Sequence, residues 1–279
     1  HSFVRSARDL NEIQEILDAN NSHLKIIAKI ENQQGIDNLD EILTYSYGVM
    51  VARGDLGVEI PAERIPLIQR DIVKACRDRK KPVIIATQML QSMIENPRPT
   101  RAEVTDVANA IFQSADAIML SGESAYGKYP VEAVKTMTKI ALQTERTIDV
   151  NLELNLKNAV KPVAVVIARA LVAATQELPV KALVFDTYTG RVGRYLSTYR
   201  PKVPVYAMCY NSCTMRELAL VFGVKAYPFS KVNDKEEFSA KSIEMLTREG
   251  KISQGDLVGF IGGVFGAQMG ATYMELKYV

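Results

Sequence analysis

Polar and charged side chains follow each of four short apolar runs in the first half of the 279-residue chain. They are Lys29 and Glu31 at the first run, Arg53 and Asp55 at the second, Thr87 and Gln88 at the third, and Ser121 and Glu123 at the fourth. If the runs are neighbouring parallel strands, their carboxyl ends meet at the edge where barrel enzymes carry their active sites. The sequence therefore predicts a site that combines carboxylates, a lysine and hydroxyl groups.

Glu31 and Asp55 have the chemistry of a magnesium site. Two carboxylates from adjacent strands can each give one oxygen to a hard divalent cation, while water and substrate oxygens complete the octahedron. Lys29 lies two residues before Glu31, on the same face of a strand, and can stabilise the charge of a transferred phosphoryl group. The alternative for any one of these residues is a solvated or ion-paired side chain. Four polar strand ends in a row favour a functional site.

The elements that must position these residues repeat one scheme up to about residue 150, a short β-rich run followed by a stretch with helical periodicity. The runs are 24–30, 48–52, 82–86 and 117–120, and the helical stretches include 9–19, 65–79 and 104–113, the last with Thr100 as its cap. Uniformly apolar strands that alternate with helices predict parallel pairing. We expect residues 1–150 to form the C-terminal half of a TIM-type (β/α) barrel, because four strands cannot close an eight-stranded one.

A smaller α/β domain is predicted for residues 151–279. A polar, Asn-rich stretch at 151–161 ends before Pro162 and is typical of a linker. Helical patterns follow at 163–176 and 235–248, and strand-like runs at 182–185, 203–208, 224–228, 257–261 and 272–278. This order indicates a three-layer α/β domain.

The composition argues against several classes of partner. A formal charge of +2, from 34 basic and 32 acidic side chains, gives no single-sign field for nucleic acid or an anionic membrane. No apolar run approaches the roughly 20 residues that span a bilayer, and the first residues lack a signal-peptide pattern. Three cysteines without a CxxC pair indicate reduced thiols. We expect a cytoplasmic protein that binds small molecules, with no nucleic acid and no membrane partner.

Five segments around the strand ends resemble a known family. They are residues 26–32 (IIAKIEN), 50–59 (MVARGDLGVE), 86–90 (ATQML), 96–103 (NPRPTRAE) and 119–123 (MLSGE). In order and spacing they resemble the pyruvate kinase family, and the likeness extends more weakly through the second domain. The resemblance implies transfer of the phosphoryl group of phosphoenolpyruvate to ADP in glycolysis, which gives ATP and an enolate that is protonated to pyruvate.

The resemblance also implies roles for the strand-end residues. Glu31 and Asp55 are expected to bind Mg2+ or Mn2+, and Lys29 to stabilise the phosphoryl group. The substrate carboxylate is expected on the backbone of Ala52, Arg53, Gly54 and Asp55, with help from Thr87. Thr87, Ser121 and Glu123 are implied in enolate protonation, as a water-linked relay because a neutral hydroxyl is a weak acid. The alternative for Ser121 and Glu123 is hydrogen bonding that only supports the sheet edge.

Further expectations concern assembly and completeness. The resemblance implies an ion pair for Arg53 near the site, a homotetramer, and Arg101 at a subunit interface; a solvated charge at a helix start is the alternative for Arg101. It also implies K+, whose ligands would lie upstream of His1 together with a phosphate-gripping arginine, the first barrel strands and a lid domain. Residues 2–5 precede a helical stretch without an apolar run. We therefore expect a fragment that is inactive alone.

The second domain contains a candidate effector site. Thr187, Thr189, Gly190 and Arg191 lie between a strand and a helix, where hydroxyls and helix-start amides suit a phosphate, and the loop resembles the family's sugar-phosphate effector site. Val192 departs from the family pattern, which often has a hydroxyl there, and residues 262–270 resemble the effector-closing loop only loosely. The alternative is ordinary helix-start chemistry.

Two other functions remain open from the sequence. A lyase or aldolase of related barrel type also places Glu and Asp around magnesium to stabilise a pyruvate enolate, although the second domain and the 121–123 segment argue against it. A non-catalytic effector-binding or assembly module is the other alternative.

Overall fold

Each half of the chain is built around its own sheet of mainly parallel strands in the computed structural model, which describes residues 1–153, 161–263 and 270–279. Two units divide between residues 148 and 149, His1–Ile148 and Asp149–Val279. Most of the predicted linker, residues 154–160, lies outside the described residues. In the described part of the chain, no helix has the length and apolar character needed to cross a membrane.

The first unit contains a parallel sheet with the strand order β1-β2-β3-β4. Its elements are α1 (Ala7–Ala19), β1 (Ile27–Ile30), α2 (Gln33–Asp37), α3 (Leu39–Tyr45), β2 (Gly48–Ala52), α4 (Arg53–Glu59), α5 (Ile65–Asp78), β3 (Val83–Ala86), α6 (Arg101–Phe112), β4 (Ala117–Met119), α7 (Gly122–Ala125) and α8 (Pro130–Glu145). The register places Ile30 beside Val51, and Ala86 beside both Ala52 and Met119. The carboxyl ends are therefore aligned, and the predicted barrel-type parallel sheet is confirmed as a partial barrel.

Burial differs among the strands of this sheet: all four residues of β3 are buried, half-buried and buried residues alternate along β1, and the residues of β4 are half-buried. On β2, Val49 and Val51 are fully buried, and α5 packs Ile68, Ile72 and Val73 against the same core. The predicted cap of α6 is confirmed, since Thr100 Oγ1 accepts the N–H of Glu103 at 3.3 Å in a capping box. The start of helix α6 is therefore fixed by its own cap.

The backbone of His1 lies along β1. Its amino group donates to Ile27 O at 2.8 Å, and its carbonyl accepts the N–H of Lys29 at 2.9 Å. These two bonds alternate as they do in a parallel ladder. Residue 1 is thus already paired with the sheet, although residues 2–5 are not in a strand.

The second unit is a three-layer α/β sandwich, as predicted. Its elements are α9 (Pro162–Glu177), β5 (Val180–Thr187), α10 (Arg191–Thr198), β6 (Val205–Cys209), α11 (Ser212–Glu217), β7 (Val224–Pro228), α12 (Lys235–Arg248), β8 (Leu257–Gly263) and β9 (Ala271–Tyr278). The strand order is β7-β6-β5-β8-β9, with β9 antiparallel to β8. Along β5, Leu183 and Phe185 enter the core cluster that includes residues of α9 and α10, while Ala182 and Val184 enter the cluster that includes residues of α12.

Candidate functional site

Lys29 and Glu31 form an ion pair at the carboxyl end of β1. Lys29 Nζ lies 2.6 Å from Glu31 Oε1, and the other carboxylate oxygen of Glu31 accepts the N–H of Phe3 at 2.5 Å. Glu31 is buried, whereas the Lys29 side chain is 30% exposed. The cation of the pair can therefore be reached from solvent, and its carboxylate is held in place from two sides.

Asp55 in the first turn of α4 completes a carboxylate pair with Glu31. Burial acts to raise the pKa of Glu31, but the Lys29 ammonium and the Phe3 N–H outweigh it, so that pKa lies below its usual value. Desolvation, together with the hydrogen bond and negative charge of Glu31, raises the pKa of Asp55. Two carboxylates in this relation repel each other when both are ionised, and a cation between them would remove that repulsion.

The donor set fits a hard divalent cation. Two carboxylate groups from the ends of adjacent strands are the ligands that Mg2+ usually takes from protein, the remainder being water and substrate oxygens. In residues 1–153, 161–263 and 270–279, no group of three or more acidic, histidine or cysteine side chains is arranged to hold a metal ion. Glu31 and Asp55 could therefore hold the cation only together with other oxygens.

Arg53 is buried, and its guanidinium contacts acceptors other than the carboxylate pair. Its guanidinium pairs with Asp106 at 2.6 Å and donates to the backbone carbonyls of Thr87, at 2.7 Å, and Gln88, at 3.1 Å. Gln69 accepts a further, longer bond at 3.4 Å. The Arg53 side chain is thus occupied by protein acceptors, and the ion pair that the resemblance implied has Asp106 as its partner.

The peptide groups that Arg53 holds have an unusual backbone conformation. Thr87 and Gln88 have φ angles of 68° and 53°, in the left-handed region that a β-branched residue such as Thr rarely adopts. Thr87 Oγ1 accepts the N–H of Gly54 at 2.8 Å and donates to Ala86 O at 2.6 Å. Arg53 and Gly54 together therefore fix Thr87 at the carboxyl end of β3.

Replacement of Arg53 by Ala is expected to lower the free energy of unfolding by about 3 kcal/mol or more, because Asp106 and two carbonyls lose their donor. Urea unfolding of the full-length protein measures this. Arg70→Ala is the matched control, since that guanidinium is 61% exposed and its loss should change stability by no more than about 0.5 kcal/mol. Equal effects of the two substitutions would contradict the positioning role of Arg53.

Glu123 bridges two segments at the third and fourth strand ends. It is fully buried, and its two oxygens accept the N–H of Leu90 at 3.0 Å and the N–H of Ser121 at 2.8 Å. These contacts agree with the alternative in which Glu123 only supports the sheet edge through hydrogen bonds. The Ser121 side chain is half-buried, and the proton relay through Ser121 and Glu123 stays a prediction.

Arg101 lies at the start of α6, on an exposed surface. Nearby, Glu103 accepts hydrogen bonds from Ser92 N–H at 2.7 Å and Thr100 N–H at 2.7 Å, which lower its pKa despite burial. The hydrogen bonds to Glu103 therefore fix the segment before α6, while the Arg101 side chain is exposed. Its placement at a subunit interface stays a prediction.

The residues of the candidate effector site lie at a cavity in the second unit. Thr187, Thr189 and Arg191 line it, and Gly190 is the left-handed N-cap of α10, with φ of 69°. Thr187 Oγ1 accepts the N–H groups of Thr189, at 3.1 Å, and Gly190, at 2.8 Å, so these two amides are already engaged. Residues 264–269 of the candidate closing loop lie outside the described residues.

The sequence alone did not predict the partners of Arg53 or the position of Asp186 at a cavity. Asp106 lies on α6, 53 residues after Arg53, and nothing local in the sequence links them. Asp186 also lines the cavity of the second unit, although the sequence pattern indicated a role only for its neighbour Thr187. The one available signal was an acidic residue directly after an apolar run.

A partial parallel barrel with a lysine and two carboxylates at its carboxyl edge, together with a three-layer α/β unit, defines a barrel-type α/β enzyme architecture. Two family models match the chain, "Pyruvate kinase, barrel domain" over residues 1–134 and "Pyruvate kinase, alpha/beta domain" over residues 165–274. The chain belongs to the pyruvate kinase family.

Curated relatives agree with the family models. The chain is 48% identical to the pyruvate kinase of Geobacillus stearothermophilus, over all of this chain and 48% of that protein. It is 46% identical to the pyruvate kinase of Borreliella burgdorferi, over all of this chain and 60% of that protein, and 45% identical to that of Clostridium acetobutylicum, over 98% of this chain and 58% of that protein. The chain thus spans about half the length of the curated relatives it matches.

Proposed function

We propose that this chain supplies the metal-binding and phosphoryl-stabilising part of a pyruvate kinase active site, which transfers the phosphoryl group of phosphoenolpyruvate to ADP. The observation that supports this most strongly is the cluster of Lys29, Glu31 and Asp55 at aligned strand ends, with the lysine partly exposed. Thr87, fixed in a left-handed conformation beside it, adds a neutral polar group to the same edge.

In this proposal each residue has a distinct task. Glu31 and Asp55 hold Mg2+ or Mn2+, which when bound neutralises phosphoryl and enolate oxygens and orients the substrate. Lys29 is positioned by Glu31 and places its ammonium against the phosphoryl group, where negative charge spreads over the equatorial oxygens during transfer. The backbone from Ala52 to Asp55, at the start of α4, binds the substrate carboxylate.

Protonation of the enolate is assigned to the third and fourth strand ends. Thr87 directs its hydroxyl hydrogen to Ala86 O, so it orients a donor more readily than it donates. Ser121 and Glu123 then form the relay, with water between them and the enolate carbon. Glu123 also keeps the Ser121 segment in place through the Ser121 N–H.

Ser121→Ala tests this relay. Its backbone bonds to Glu123, Ser124 and Ala125 do not need the hydroxyl, so stability should change by no more than about 0.5 kcal/mol. The rate of enolate protonation should fall about 100-fold, with a changed solvent isotope effect. Unchanged protonation of added pyruvate enolate, measured by hydrogen exchange at its methyl group, would leave Ser121 with a supporting role only.

The remaining expectations belong to the same proposal. The enzyme is a cytoplasmic homotetramer, with Arg101 at an interface, and it uses K+. The exposed position of Arg101 supports its place at an interface, and the three free cysteines support the cytoplasmic location. A sugar-phosphate effector is the family-type candidate for the cavity of the second unit.

Pyruvate release by the full-length protein tests the proposed reaction against the alternatives. Release should require phosphoenolpyruvate, ADP and a divalent cation together. The related lyase chemistry predicts pyruvate from an aldol substrate without ADP, and a binding module predicts no turnover. Either of those two results would replace the kinase assignment.

A further inference from the structure

The segment of residues 1–5 is fixed beside the first strand of the barrel sheet. At one end, the backbone of His1 pairs with β1 through two hydrogen bonds. At the other end, the carbonyl of Arg5 accepts the side-chain amide of Asn38 at 2.8 Å. Between them, the Val4 side chain is fully buried in the core of the first unit. The two residues between His1 and Val4 therefore have little freedom to move.

These two residues, Ser2 and Phe3, each contact one member of the ion pair at the end of β1. Ser2 Oγ accepts a hydrogen bond from Lys29 Nζ at 3.2 Å, and the N–H of Phe3 donates to Glu31 at 2.5 Å. Phe3 has a φ angle of 54°, in the left-handed region that a bulky residue rarely adopts. Such a conformation persists only where the surrounding structure determines it. The segment is thus built to meet both members of the ion pair.

The contacts of the Lys29 ammonium leave one of its N–H groups for a ligand. A lysine ammonium carries three donors at the end of a flexible stem. In the part of the chain that the structure describes, Lys29 Nζ contacts Glu31 Oε1 at 2.6 Å and Ser2 Oγ at 3.2 Å. With the carboxylate alone the ammonium could rotate about that one contact. The Ser2 hydroxyl is a second acceptor, and it restricts the direction of the third N–H.

We propose that Ser2 is a positioning residue for phosphoryl transfer, because its hydroxyl accepts one N–H of Lys29 and so directs the remaining N–H at the phosphoryl group. The inference rests on the proposed function, in which Lys29 stabilises that group. A donor that is oriented before charge develops needs no reorganisation during the reaction. Ser2 is uncharged and has no part in metal binding, which is assigned to Glu31 and Asp55.

Replacement of Ser2 by Ala in the full-length protein tests this role. The ammonium stays in the site but is oriented less well, so kcat should fall about 10-fold while KM for phosphoenolpyruvate does not change. Ser2→Thr keeps the hydroxyl and should restore kcat. Ser230→Ala, at an exposed serine of the second unit, is the matched control and should have the wild-type kcat. Steady-state kinetics of pyruvate release measure all three.

Two further measurements separate positioning of Lys29 from a general effect on the segment. In a Lys29→Met background, Ser2→Ala should change kcat by less than about two-fold, because the ammonium through which Ser2 acts is already absent. Mn2+ should bind Ser2→Ala as tightly as the wild type, because Glu31 keeps its bond from the Phe3 N–H.

Several results in an active enzyme would overturn this inference and leave the proposed function in place. They are a wild-type kcat in Ser2→Ala, no restoration by Ser2→Thr, an equal loss of kcat in the Lys29→Met background, and weaker Mn2+ binding by Ser2→Ala. Failure of the proposed function has a different sign. The wild-type protein would then form no ATP from phosphoenolpyruvate and ADP, and that result would overturn the role of Ser2 together with the role of Lys29.

Discussion

Replacement of Lys29 by Met is expected to lower kcat of the full-length enzyme by about 100- to 1,000-fold, the range found when one donor to a developing anion is removed. Methionine keeps the length of the side chain and removes its charge. Because Lys29 is assigned to the phosphoryl group in the transition state, kcat and kcat/KM should fall together. Steady-state kinetics of pyruvate release measure both.

Metal affinity separates the roles of Lys29 and the carboxylates. The Lys29 ammonium lies 2.6 Å from Glu31, so its removal takes a positive charge away from a proposed metal ligand. Mn2+ should bind Lys29→Met as tightly as the wild type or more tightly. Lys135→Met, on an exposed face of α8, is the control for the loss of one surface charge. Unchanged kcat in Lys29→Met would contradict the assignment.

Replacement of Asp55 by Ala is expected to weaken Mn2+ binding about 100-fold or more, a larger loss than the 10- to 100-fold usual for groups that only support a metal ligand. Only two carboxylates of the described residues form the proposed site, so the loss of one removes half of its protein ligands. Titration followed by electron paramagnetic resonance measures the free Mn2+. Asp71→Ala, 68% exposed on α5, is the matched control.

In the absence of bound metal, Asp55→Ala should be at least as stable as the wild type. The pKa of Asp55 is raised in the folded protein, so its carboxylate opposes folding at pH values above that pKa, and the penalty disappears as pH falls and the group is protonated. Asp55→Ala should therefore have equal or higher thermal stability than the metal-free wild type at neutral pH. A clear loss of stability would indicate a structural role for Asp55 instead.

The strand ends could be predicted from the sequence because two local patterns determine them. Continuous apolar runs identified β1 to β4, and alternation within β1 placed Lys29 and Glu31 on the same side, where they form an ion pair. Helix α12 was also predicted at its observed bounds, Lys235–Arg248, from its amphipathic pattern, and in the structure Asp234 caps it by accepting the N–H of Glu237 at 2.8 Å.

Contacts between distant segments could not be predicted in this way. Arg53 and Asp106 meet only through the tertiary fold, since they lie on different helices, α4 and α6, 53 residues apart in the sequence. The left-handed conformation of Thr87 had no signal, because Thr usually avoids it and no glycine marks the turn. Such a conformation depends on the surrounding bonds from Arg53 and Gly54.

The end of β5 shows why the sequence did not place Asp186 at the cavity of the second unit. The apolar run stops at Phe185, so the predicted strand ended there. The backbone nevertheless continues to pair, Asp186 with Met208 and Thr187 with Cys209, which carries the Asp186 carboxyl group to the cavity. Hydrophobic pattern identifies the buried part of a strand but not a polar extension that follows it.

Phosphorus NMR of the full-length protein with phosphoenolpyruvate, ADP and Mg2+ tests the central claim most directly. The account predicts that the phosphoenolpyruvate signal is replaced by the γ-phosphate signal of ATP, in proportion to pyruvate, and that Lys29→Met and Asp55→Ala slow this conversion strongly. Conversion of phosphoenolpyruvate to pyruvate with release of inorganic phosphate, or a wild-type rate in both variants, would contradict it.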